Sequence, residues 1–129
     1  MSIKELLEFD SYRLNPAERL LVRDGIPVPL EPKVFETLLV LIRHGGRLVT
    51  KDQLMKEVWP DTFVEESNLV RHISILRKAL SRGAEEPPYI ETVSKLGYRF
   101  VGHVREPTIE QTEVIIDSAK VSVVIEEEE

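Results

Sequence analysis

The stretch from Glu66 to Gly83 constrains this chain more than any other. Leu69, Ile73, Leu76 and Leu80 step by four, three and four residues, the spacing of one buried stripe on an α-helix. At about 100° per residue, Arg71 and Lys78 point away from that stripe, with Ser67, Ser74, Ile75 and Arg82 beside them. Ser67 or Asn68 suits the N-cap, and Gly83 suits a left-handed C-terminal stop. The expected helix has roughly four turns and is about 22 Å long. Two readings fit it. It rests on a small core and offers a short-chained, cationic face to a polyanion, or it is an ordinary amphipathic surface helix.

Charge distribution bears on that choice. The 129 residues carry a net −6, yet residues 106–129 hold eight acids and a single lysine. Residues 1–105 therefore hold 16 cations against 15 acids, and the cations cluster from residue 68 onward (Arg71, Arg77, Lys78, Arg82, Lys95, Arg99, Arg105). A local basic face survives an acidic whole. A hydrophobic fraction of 42% suffices for one core. The absence of cysteine removes disulfides and thiolate metal sites and suits a reducing cytoplasm. The longest aliphatic run is Leu38 to Ile42. That is far below the roughly 20 residues of a membrane span. Charges interrupt the first ten residues, where a signal sequence would lie.

Taken in order, residues 1–30 read as a small antiparallel sheet. Tyr12–Leu14 and Arg19–Arg23 are extended around an Asn15-Pro16 turn. Asp24-Gly25 is a type I′ hairpin signal, and the strand Ile26–Leu30 carries two prolines that confine it to an edge. Pro32 opens a core helix over about 32–44, closed by Gly45-Gly46. Arg47–Val49 is an extended link. Thr50-Lys51-Asp52-Gln53 reads as a capping box, with Gln53 reaching back to Thr50. It opens a second helix over about 51–58 that Pro60 stops. Phe63 and Val64 in the following loop are expected to tuck onto the core. Tyr89–Val93 and Tyr98–Val101 form a hairpin whose turn takes positive φ from Gly97. The order sheet, three helices, hairpin is an α+β winged helix-turn-helix: an N-terminal antiparallel sheet, three helices and a C-terminal β-hairpin wing. It is assigned to residues 1–105. Residues 106–129 read as an acidic tail or linker, or as short strands that add to a sheet edge.

Four segments carry a family resemblance: Leu30–Leu39, Leu48–Trp59, His72–Leu80 and Ile90–Phe100. In this order and at these separations, residues 9–104 resemble the OmpR/PhoB-type winged-helix DNA-binding domain of response regulators and of ToxR/CadC-like membrane-tethered activators. The resemblance implies a four-stranded N-terminal sheet. It implies a third helix in the major groove of double-stranded DNA and a wing in the minor groove. It also implies binding as homodimers to repeated half-sites, and contact of the Pro60–Glu66 loop with RNA polymerase.

On that basis Arg71, Ser74, Ile75 and Lys78 are candidates for reading bases. An Arg–guanine bidentate pair is worth about 1–3 kcal/mol of discrimination, and a thymine methyl suits Ile75 unless that side chain packs on the wing or a loop. Asn68, His72 and Arg77 are candidate phosphate contacts on the flanks, with helix capping and a surface ion pair as the alternatives for Asn68 and Arg77. Thr50 and Lys51 open the second helix, where free N–H groups favour an anion. Trp59 belongs to the core, and the resemblance suggests that its indole N–H also faces phosphate. Lys95 takes the minor groove and Arg99 the backbone. Family members commonly carry more arginine where this chain has Ser74, Ile75 and Ser94, so weak nonspecific binding and a shallow salt dependence are expected. No enzyme motif, metal spacing or cofactor loop is present, and His44, His72 and His103 are scattered. The competing reading is a winged-helix protein-interaction module without DNA binding. A positive stripe across Arg71, Lys78, Lys95 and Arg99 argues for DNA.

Overall fold

A computed structural model describes residues 6–81 and 89–106. The N-terminal sheet is a meander of β1 (Leu7–Phe9), β2 (Tyr12–Asn15), β3 (Leu20–Arg23) and β4 (Ile26–Pro27), each strand antiparallel to the next. Its alternation is of the half-buried kind: Leu7, Phe9, Tyr12, Leu14 and Leu21 face the core while Arg13 faces out. Asp24 (φ 52°) and Gly25 (φ 82°) are a left-handed pair, with Arg23 opposite Ile26. A type I′ hairpin needs such a pair at its two central positions.

Helix α1 (Pro32–Arg43) is the centre of the domain, with Val34, Phe35 and Leu38–Ile42 buried. β5 (Val49–Thr50) leads into α2 (Lys51–Val58), and α3 runs from Glu66 to Ala79. β6 (Ile90–Val93) and β7 (Gly97–Phe100) make the wing. The expected link at Val49 is a strand: β5 pairs with β7, which completes a three-stranded sheet in the order β5-β7-β6. An aromatic cluster joins the two sheets. Phe9 lies 5.0 Å from both Tyr12 and Phe100, Tyr89 stacks 5.9 Å from Phe100, and the Tyr89 hydroxyl donates to Asp10. Such ring pairs contribute about 0.5–1.5 kcal/mol each beyond their buried area.

Several local expectations are corrected. The Thr50 hydroxyl accepts from the Gln53 N–H (3.1 Å), but the Gln53 side chain reaches forward to Glu57 (3.2 Å). The Glu57 carboxylate gives that amide a charged acceptor, the stronger kind. Neither Ser67 nor Asn68 caps α3. Both lie inside it, and Glu65 occupies the N-cap without a side-chain bond. Gly83 lies outside the described residues, and α3 has already ended at Leu80, four positions after Leu76, whose carbonyl accepts the Leu80 N–H. Phe63 does not tuck in: it is 88% exposed, while Val64 beside it is half-buried. In the wing, Lys95 rather than Gly97 takes the left-handed conformation (φ 63°). Gly97 is needed for closeness instead. A Cβ there would sit 2.1 Å from the Val49 carbonyl oxygen across the β5–β7 pair. The acidic tail from residue 107 onward and the loop through Pro87-Pro88 lie outside the described residues.

Candidate nucleic-acid interface

Helix α3 is held by the apolar stripe read from the sequence: Leu69, Ile73, Leu76 and Leu80 are all buried. Packing then decides which flank of the stripe is covered. At about 100° per residue, His72 lies about 70° to one side of the stripe's centre and Val70 about 90° to the other. The His72 side is closed. Its Nδ1 lies 3.3 Å from the Thr37 hydroxyl of α1, its ring lies 5.1 Å from that of Trp59, and only 3% of it is exposed. Ile75, on the same side, is half-buried against the core. The opposite side is open: Ser67, Val70, Arg71, Ser74, Arg77, Lys78 and Ser81 are exposed.

This asymmetry sorts the expected contacts. His72 is removed from the phosphate-facing flank because α1 and the end of α2 cover it. The Thr37 hydroxyl already donates to the Lys33 carbonyl (2.8 Å), so it accepts from His72. Nδ1 therefore carries the imidazole proton, since a hydroxyl has one hydrogen to give. Burial lowers the His72 pKa from its ordinary value, the Arg71 guanidinium adds to this, and Glu31 opposes it. Ile75 is half-buried against the core rather than fully on the outer face. Trp59 is half-buried as the C-cap of α2, packed on the core and on His72. Asn68 is half-buried in the first turn of α3, its N–H donating to the Glu65 carbonyl (2.9 Å). Arg71, Ser74 and Lys78 stand on the exposed face as expected from the helical arithmetic.

Arg77 has a different place from the one expected. Its guanidinium donates to the Ile90 carbonyl (3.0 and 3.3 Å) and to the Thr92 hydroxyl (2.7 Å), clamping α3 to β6. The start of α2 is tied to the wing as well. The Lys51 N–H donates to the Leu96 carbonyl (3.1 Å), and the Gln53 N–H is taken by Thr50. Two of the amides expected to be free for an anion are therefore occupied.

The cations divide into two sets. Lys51 pairs with Glu66 (2.8 Å), Arg99 with Glu91 (2.6 Å), and Arg71 approaches Glu31 at 3.8 Å. The hydrogen bond to Glu66 holds the Lys51 ammonium above its ordinary pKa. Lys78 and Lys95 are exposed and have no ion-pair partner among the described residues. Exposed pairs of this kind contribute only about 0–1 kcal/mol, so a phosphate competes readily for the paired cations. Val70, which the sequence pattern does not single out, lines a groove with Ser74, Arg77, Lys78 and Tyr98 between α3 and the wing. Among the described residues no helix is long and apolar enough to cross a membrane, and no His/Cys/Asp/Glu group is arranged to hold a metal ion.

Comparison with known proteins agrees with this geometry. The DNA-binding domain of Escherichia coli CadC superposes with a TM-score of 0.73 at 27% identity, covering 82% of this chain and 100% of that domain. The Klebsiella pneumoniae RstA DNA-binding domain, solved in complex with the RstA box, superposes with a TM-score of 0.65 at 31% identity, covering 76% of this chain and 98% of that domain. The transcriptional regulatory protein KdpE of Mycobacterium tuberculosis is 33% identical over 96 residues, which are 74% of this chain and 42% of KdpE. The chain thus spans less than half the length of the curated regulators it matches. Residues 25–100 match the family model described as transcriptional regulatory protein, C terminal. With that match across more than half its length, the chain belongs to the OmpR/PhoB-type family of winged-helix DNA-binding domains of transcriptional regulators.

Proposed function

We propose that this domain regulates transcription by placing α3 in the major groove of double-stranded DNA and the wing turn at Lys95 in the adjacent minor groove. One observation carries this reading: the exposed face of α3 and the wing border one groove, lined by Ser74, Arg77, Lys78 and Tyr98, and the cations Arg71 on α3 and Lys95 and Arg99 on the wing are exposed as well. Arg71, Ser74 and Lys78 meet base edges, and Lys51 and Arg99 exchange their carboxylate partners for phosphate. Arg77, fixed to β6, positions the wing. The face carries few cations, so log K falls with log salt by about 0.9 per phosphate neutralised over a small number of contacts. The protein-interaction reading is disfavoured by the polar and cationic character of this face.

The 88% exposure of Phe63 supports a protein contact elsewhere: the loop Pro60–Glu66 meets RNA polymerase while α3 is on DNA. The same reading assigns residues 1–105 to the DNA-binding unit and 106–129 to an acidic tail, places the protein in the cytoplasm with the chromosome, and has two copies on repeated half-sites. The test is selection from a random duplex pool, with Arg71→Ala and Lys95→Ala as controls. Enrichment of a short motif, weakened by Arg71→Ala at one base step, is expected. An unenriched pool at moderate salt sinks the DNA reading.

A further inference from the structure

We propose that Val70 is a specificity-determining residue that reads the C5-methyl group of a pyrimidine, thymine in unmodified DNA. The inference rests on the docking just described and deepens it. Val70 is 50% exposed on α3. Ser74 lies one turn further along and Lys78 two turns along the same row. Ser74, Arg71 and Lys78 on this face are hydrogen-bonding or charged. Val70 is the aliphatic side chain among them, since Ile75 has been drawn against the core. It lines the groove toward the wing together with Ser74, Arg77 and Lys78.

Half of the Val70 side chain is left in water in the isolated domain, and that half contributes no burial there. The major groove offers it one apolar partner, the C5-methyl, which an A·T pair carries and an unmodified G·C pair lacks. The neighbouring groups fit that placement. Lys78 and Arg71, both about 80–100° further round the helix, bind anionic or acceptor atoms, and the short Ser74 side chain between them and Val70 lets the helix backbone approach the base edges. A methylated cytosine presents the same C5-methyl with a different hydrogen-bonding edge, so the two sources are separable.

The experiment uses the full chain and the duplex motif it selects. Each thymine is replaced in turn by deoxyuridine, which removes only the methyl, and binding is measured for the wild type, Val70→Ala and Val70→Thr. Burial of one methyl predicts about a fourfold loss at one thymine for the wild type. Val70→Ala is expected to bind thymine and uracil duplexes alike at that position. Val70→Thr, nearly isosteric but with one methyl replaced by hydroxyl, is expected to show a reduced ratio. Placing cytosine and then 5-methylcytosine at the same position tells whether the methyl suffices without the thymine edge: recovery of affinity on methylation supports a pure methyl contact. No thymine whose demethylation weakens the wild type, or a full thymine–uracil ratio retained in Val70→Ala, overturns the proposal while leaving DNA binding intact. Failure to select any motif overturns the docking itself and the proposal with it. Helicity of the variants controls for folding, and Ala at an exposed helical site favours the helix.

Discussion

Replacing Gly97 by alanine tests the link between the wing and the start of α2. The new Cβ would sit 2.1 Å from the Val49 oxygen, 2.8 Å from the Thr50 Cα and 2.9 Å from the Val49 carbonyl carbon, all of them backbone. No side chain can turn aside, so β5 must move away from β7. That strand is two residues long, and it carries the fully buried Val49 and the Thr50 cap of α2. Overpacking of this kind costs about 1–3 kcal/mol. Loss of one or two hydrogen bonds, among them Lys51 N–H to Leu96, adds about 1 kcal/mol each. A loss of about 3 kcal/mol is expected, read by urea unfolding through the fluorescence of Trp59, the single tryptophan. Lys95→Gly is the counterpart, because it relieves a left-handed lysine (φ 63°). It is expected to leave stability unchanged or raise it by about 1 kcal/mol, while DNA affinity falls with the lost cation. A Gly97→Ala protein within about 0.5 kcal/mol of wild type, the range of an ordinary surface substitution, would refute the predicted clash. So would tolerance of Gly97→Asn alongside damage from Lys95→Gly, because that pattern belongs to a turn whose left-handed residue is Gly97.

Arg77→Ala removes the clamp to Ile90 and Thr92 and is expected to cost about 1–2 kcal/mol in urea unfolding. Arg99→Ala, which gives up one exposed ion pair with Glu91, should stay within about 1 kcal/mol and reduce the salt slope of DNA binding by about one. The lowered pKa of His72 means that the unfolded chain binds its proton first. Stability is therefore full above the ordinary histidine value of 6.5 and is lost as pH falls from there through the lowered folded value. Unfolding at a series of pH values should show this step in the wild type and a smaller one in His72→Gln. Phe63→Ser should leave both stability and DNA affinity unchanged while lowering activated transcription in a reconstituted assay. A stability loss above about 1 kcal/mol would place Phe63 in the core after all.

The elements with local signals were legible in the sequence. Asp24-Gly25 encodes its turn in the φ values it tolerates, Pro32 and Thr50 mark helix starts, and the Leu69–Leu80 stripe identifies the inner side of α3. What is not legible depends on partners distant in the chain. Val49–Thr50 becomes a strand only because Tyr98 and Gly97 lie beside it. A helical stripe has two equivalent flanks, and nothing in its periodicity says that α1 and Trp59 will cover His72 while leaving Val70 open. Arg77 reads as any outward cation until β6 supplies the Ile90 carbonyl. In the loop, hydrophobicity alone does not tell the exposed Phe63 from the half-buried Val64. The exposure of Arg71, Ser74 and Lys78 was therefore legible, and the burial of His72 and the half-burial of Ile75 were not.

The wing is fastened at three points: to α3 through Arg77, to α2 through the Lys51 N–H, and to β5 along β7. In the proposed docking it cannot swing to suit the duplex, so α3 and the turn at Lys95 act as a caliper of fixed opening. Adjustment then falls on the DNA. Steps that narrow the minor groove or bend easily will close on the caliper at little elastic cost, and stiff steps will not. A domain with few charged base contacts would in this way discriminate between sites by their mechanics, at base pairs that none of its side chains touches.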